Sequence, residues 1–68
     1  MCLLKVYLDE GSQKRLIAKE VALIIRDGDK IKLRNIEFED VATLEHVNIS
    51  LIDTLNSMMI VEPKRKSS

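Results

Sequence analysis

Cys2 is the only cysteine in this chain of 68 residues. No disulfide can close within it, and that limits what it can fold into more than any other feature. A body this short buries only about 60% of the surface that its unfolded chain exposes. Domains of this size make up the deficit with disulfides, a metal or a partner chain. With the first excluded, a metal or association remains. Apolar residues make up 46% of the chain, yet Tyr7 and Phe38 are its only aromatics. The core must therefore be aliphatic. There is more aliphatic surface than one small core covers, which implies a subunit interface, and a homodimer is the expectation.

The formal net charge is zero, but three of the eleven basic residues are Lys64, Arg65 and Lys66. Residues 1–62 carry eight basic and eleven acidic groups, a net of minus three, which makes the body a poor electrostatic host for nucleic acid. No apolar run approaches the ~20 residues of a membrane span. The first apolar stretch is broken by Lys5 and followed by Asp9 and Glu10, unlike a signal peptide, so the expected location is the cytoplasm.

Patterning predicts an all-β fold, a small antiparallel β-barrel or sandwich over residues 1–62 followed by a disordered basic tail at 63–68. Cys2, Leu4, Val6 and Leu8 share one face of a first strand by the two-residue period. Asp9-Glu10-Gly11-Ser12 is a turn signal, and Leu16 and Ile17 belong to a short second strand. Val21 to Ile25 is apolar on both faces and reads as one strand buried on both sides. Asp27-Gly28 is a hairpin signal. Lys30 to Arg34 then alternates, Ile31 and Leu33 inward and three bases outward. Glu37-Phe38-Glu39 reads as the core of a further strand. In residues 44–61, Leu44, Val47, Leu51, Leu55 and Met58 fit a helical stripe. Val47, Ile49 and Leu51 equally fit a strand with Ile60 and Val61 in its hairpin partner, and the β-branched residues favour strands. Pro63 is expected to end the ordered body.

Most catalytic constellations are missing. The chain has one His and one Cys, no Gly-rich phosphate loop and no Cys or His pair at zinc spacing, so an enzyme is not expected. Cys2 is informative because of its position. The small side chain at position two favours removal of Met1, which makes Cys2 the N-terminus. Its amine and thiol titrate near ~8 and ~8.5, and a metal displaces both protons near neutral pH to form a five-membered N,S chelate. Two chelates across a dimer axis supply two nitrogens and two sulfurs, a donor set for square-planar Ni(II), with Cu(II) as a competitor. The plainer role for Cys2 is a small buried hydrophobe at a strand start.

Met1-Cys2-Leu3-Leu4-Lys5-Val6-Tyr7-Leu8 resembles the opening of CooT-type small proteins. Glu20-Val21, Gly28-Asp29-Lys30-Ile31-Lys32-Leu33, Ile52-Asp53 and Ile60-Val61-Glu62 fit the same framework. The resemblance implies a small all-β, SH3-like homodimer. It also implies a nickel-binding accessory protein in the maturation of carbon monoxide dehydrogenase, which holds one Ni(II) per dimer through Cys2. Other members of the family carry a loose RNA-binding label. Arg34 to Glu39 departs from the family in lacking a glycine that members often have there.

Other residues admit plainer roles. Lys30, Lys32 and Arg34 could contact RNA phosphates, but such a stripe is more often the solvated face of a strand. His46 is an auxiliary ligand or an ordinary surface residue. Glu37, Glu39, Asp40 and Glu45 form an acidic edge without the geometry of a calcium loop. Met58 and Met59 could bind a soft metal but suit hydrophobic packing better. Nickel-assisted maturation is thus the leading expectation, with an RNA-binding small barrel as the alternative.

Overall fold

A computed structural model describes residues 3–64. Seven strands are present among them: β1 (Leu4–Asp9), β2 (Lys14–Val21), β3 (Leu23–Asp27), β4 (Lys30–Arg34), β5 (Asp40–Glu45), β6 (Val47–Asp53) and β7 (Met58–Pro63). They form a four-stranded sheet in the order β2-β1-β7-β6 and a three-stranded sheet in the order β3-β4-β5. The chain is all-β, as its patterning predicts. The two sheets do not close into a barrel, because β3 and β6, each at the edge of its own sheet, are not hydrogen-bonded to one another. Nor is the pairing wholly antiparallel. β1 and β7 run parallel, with Val6 opposite Met59 and Leu8 opposite Val61.

The core lies between the sheets. Val6, Leu33, Met59 and Val61 are fully buried, joined by Ala18, Val21 and Ile31, with Leu4, Leu8 and Leu44 packed against them. Burying each such aliphatic side chain is worth about 1.5–3 kcal/mol. Leu4, Val6 and Leu8 therefore share the inner face as expected, and β4 alternates as its sequence reads. Ile60 is also buried but stands outside this cluster. Its cross-strand partners are Tyr7 and Leu51, and Tyr7 in turn faces Leu16. Directly paired residues share a face, so Leu16, Tyr7, Ile60 and Leu51 form an apolar row across the outer face of the four-stranded sheet.

The apolar run at 21–25 is not one doubly buried strand. It is divided between two sheets. Val21 ends β2 in the core, Ala22 is exposed, and Leu23 to Ile25 are half-buried in β3. Glu20 takes a left-handed φ of 57°, and the Ala22 N–H donates to the Arg34 carbonyl at 2.8 Å, which redirects the chain from one sheet to the other. The second strand is eight residues long rather than short, with an irregular register between the Val6–Ala18 and Tyr7–Leu16 pairs. Asp27-Gly28 does open a hairpin. Asp27 pairs with Lys30, and Gly28 stands at the first turn position with a φ of 62°, the requirement of a type II′ turn.

Residues 37–39 are loop, not strand, and Phe38 has a φ of 62°. Residues 44–61 hold strands and the turns that join them, not a helix. β6 and β7 form the expected hairpin, with Ile49 opposite Val61 and Leu51 opposite Ile60. The proline does not end the ordered chain. Pro63 is the last residue of β7, opposite Val47, and the Lys64 N–H donates to the His46 carbonyl at 2.8 Å. Of the tail expected at 63–68, the last four residues lie outside the described ones.

Candidate functional site

The start of β1 is held on both sides. Leu4 pairs with Val21 at the end of β2. Lys5 pairs with Met58 and donates its backbone N–H to the Ser57 carbonyl at 3.0 Å. The turn supplying that carbonyl is ordered by Asp53, whose Oδ1 accepts the N–H groups of Leu55 and Asn56 at 3.0 and 3.1 Å and whose Oδ2 accepts Asn56 Nδ2 at 2.8 Å. These bonds to its charged form hold the Asp53 carboxyl below 3.8. The metal ligand named from the sequence, Cys2, lies outside the described residues. Among the described residues no three His, Cys, Asp or Glu side chains come together to hold a metal ion.

β4 presents Lys30, Lys32 and Arg34 on the face opposite Ile31 and Leu33. Two of the three cations have acidic neighbours. Lys32 Nζ lies 3.6 Å from Asp27 Oδ2, and Arg34 Nε donates to Asp40 Oδ1 at 2.7 Å. The stripe is thus a row of exposed and half-exposed ion pairs as much as a cationic surface. Glu39 Oε1 accepts Asn35 Nδ2 at 3.1 Å and Asp40 is engaged by Arg34, so these two acidic residues have separate partners. Met59 is fully buried in the core, while Met58 is half-buried next to Lys5 and Asp53.

His46 occupies a place that no spacing rule anticipates. It is the single residue between β5 and β6, left-handed with a φ of 59°, and it carries the chain from one sheet to the other. Its Nδ1 is 2.6 Å from Asp29 Oδ2, and Lys64 Nζ is 2.6 Å from Asp29 Oδ1. Topology brings these residues together from the β3–β4 turn, the β5–β6 corner and the end of β7. The Asp29 carboxyl is held below 3.8, first by the hydrogen bond from Lys64, then by the charges of Lys64 and His46. Asp29 and Lys64 line a cleft of about 550 Å³ between the β3 and β6 edges, where Ile24, Ile31, Val47 and Ile49 provide apolar walls and Arg26 adds a cation.

What these elements define is a small two-sheet scaffold with paired surface charges, a partly open sheet edge and an N-terminal strand fixed at its start. The model of the CooT family, described as the CO dehydrogenase accessory protein CooT, matches residues 1–62. The chain belongs to that family, and it is accordingly an accessory protein rather than an enzyme. A crystal structure described as "putative CooT from Carboxydothermus hydrogenoformans" superposes with a TM-score of 0.76 at 15% identity. That match covers 94% of this chain and 100% of the other, and it shows a shared fold. A search of curated proteins gives no match. Among the described residues no helix is long and apolar enough to cross a membrane.

Proposed function

We propose that this protein binds Ni(II) as cargo and supplies it to a maturing nickel enzyme, CO dehydrogenase, holding one ion between the Cys2 ends of two copies. The observation that carries the reading is family membership over residues 1–62, a span that includes the Met-Cys opening. The donor chemistry fits the ion. A terminal cysteine offers an amine nitrogen and a thiolate, and two such ends give the N₂S₂ set that d⁸ Ni(II) favours. Cys2 is the metal-binding residue in this reading, and the cytoplasm is where it acts.

The SH3-like homodimer belongs to the same proposal. The row of Leu16, Tyr7, Ile60 and Leu51 supports it, because Leu16 is 47% and Leu51 45% exposed in the single chain. A second copy covering that face would bury both, and β1, which continues from Cys2, lies within the sheet that carries the row.

Nickel titration of Met-processed protein against Cys2→Ala tests the proposal, with native mass spectrometry to count ions and chains. One ion per dimer is expected for the wild type and none held tightly by the variant. Binding should weaken below neutral pH as amine and thiol regain their protons. Equal tight binding by both proteins would remove Cys2 from the site.

A further inference from the structure

The loop between β4 and β5 holds two apolar side chains out in water on a rigid frame. Its backbone closes on itself: the Asn35 N–H donates to the Glu39 carbonyl and the Phe38 N–H to the Asn35 carbonyl, each at 3.0 Å. The Asn35 side chain fixes the remainder. Its Oδ1 accepts the Glu37 and Glu39 N–H groups at 2.9 and 3.1 Å, and its Nδ2 donates to Glu39 Oε1. Held this way, Phe38 has a φ of 62°, a left-handed conformation that disfavours a bulky side chain and suits glycine. Phe38 is nevertheless 69% exposed, and Ile36 is 60% exposed. One of only two aromatics in the chain thus stands in a backbone region uncommon for bulky residues, outside the core.

Neither packing nor backbone preference accounts for that choice of residue. An exposed ring on a preorganised loop does suit binding, because its ordering is complete before the partner arrives. Buried aromatic anchors commonly dominate interface energetics. The surroundings specify the partner. Glu37 and Glu39 flank Phe38 and are exposed. Among the described residues neither forms an ion pair, while the next carboxylate, Asp40, is engaged by Arg34. An apolar tip flanked by two carboxylates that no neighbouring cation neutralises complements an apolar pocket with a Lys or Arg rim.

We propose that Ile36 and Phe38 anchor this protein in a basic-rimmed apolar pocket on the CO dehydrogenase it serves. The inference rests on the accessory role above and assigns docking to residues other than the proposed metal ligand Cys2. The test is calorimetric titration of purified, nickel-free CO dehydrogenase with the full chain, as wild type, Phe38→Ala, Phe38→Gly, Glu37→Gln with Glu39→Gln, and Cys2→Ala. Nickel titration, circular dichroism and sedimentation are run on each protein. Phe38→Ala should weaken association by ~10-fold or more while keeping the wild-type fold, nickel uptake and oligomeric state. Phe38→Gly, which relieves the backbone, should weaken it equally. The Gln pair should slow association and flatten its salt dependence. Cys2→Ala should bind the enzyme as wild type does and take up no nickel.

Wild-type affinity in Phe38→Ala would overturn the proposal. So would a change of oligomeric state in that variant, since the loop would then belong to the contact between copies. Wild-type protein that takes up nickel without binding the enzyme would overturn the docking and leave the nickel reading standing. Wild-type protein that does neither would remove both.

Discussion

Leu33 and Phe38 stand a few residues apart, one inside the structure and one outside it. Leu33 is fully buried between the sheets, and Phe38 is 69% exposed beyond the end of the same strand. The larger and more aromatic of the two is the one in water, so apolar character alone did not decide the placement. Leu33 faces inward because β4 alternates, and its pairing to β3 and β5 fixes that alternation. Phe38 faces outward because the loop that Asn35 ties leaves its backbone no other course. In a body this small, a few backbone hydrogen bonds determine which apolar residues stabilise the fold and which remain free for a partner.

The largest expected effect tests that division directly. Leu33→Ala removes a fully buried side chain and should lower the unfolding free energy by about 2–5 kcal/mol. Phe38→Ala should change it by no more than about 0.5 kcal/mol, as for surface substitutions generally. Urea unfolding of both variants measures the contrast. A cost at Phe38 approaching that at Leu33 would mean that the ring packs against something essential.

A smaller effect sharpens the comparison at the two ends of β4. The β3–β4 turn and the β4–β5 loop each need one left-handed residue. Gly28 supplies it in the first and Phe38 in the second. No atom lies within 4 Å of where a Gly28 Cβ would be, so Gly28→Ala reports the backbone preference alone and should cost about 1 kcal/mol. Phe38→Gly should shift stability the other way by roughly half as much, because the strain it relieves exceeds the added freedom of the unfolded chain. Thermal unfolding of the pair gives both signs, and equal signs would show that the two positions are not equivalent backbone problems.

The same contrast explains which parts of the fold were legible in the sequence. Lys30 to Arg34 was readable because one strand, buried on one face, leaves a period of two in the chain itself. The β6–β7 hairpin was readable because Val47, Ile49 and Ile52 favour extended backbone. Val21 to Ile25 was misleading because an apolar run that turns a corner serves two sheets, and periodicity carries no record of the corner. Glu37-Phe38-Glu39 imitates strand alternation, while the determinant of its true shape is the amide of Asn35, two residues earlier. The parallel pairing of β1 with β7 joins the two ends of the domain, and no local signal encodes it. At the candidate site, position two singled out Cys2 by chemistry. The meeting of Asp29, His46 and Lys64 depends on a turn, a corner and a strand end far apart in the chain, which spacing could not reveal.

That meeting provides the smallest and most conditional effect. The β4–β5 loop is tied mainly by amide hydrogen bonds, whereas the corner where His46 links the sheets is tied through the Asp29 carboxylate. The Asp29 pKa is held below its ordinary 3.8, first by the hydrogen bond from Lys64. A group depressed by folding stabilises the native state fully above its unfolded pKa, and the contribution is lost as pH falls through the folded value. Acid should therefore loosen this corner below about pH 3.8 and leave the backbone hydrogen bonds of the β4–β5 loop in place. The side chains at the corner are largely solvated, so the effect is modest and screened by salt. Asp29→Asn should flatten the acid side of the Tm profile slightly, and Lys64→Met should reproduce much of that change because Lys64 is the main cause of the shift. In the wild type, hydrogen-exchange protection at the Lys64 N–H, which bonds the His46 carbonyl, should decline in acid before protection at the Phe38 N–H. Protection lost together at both amides would mean that the corner and the loop open as one unit, and that the charged tie contributes nothing of its own.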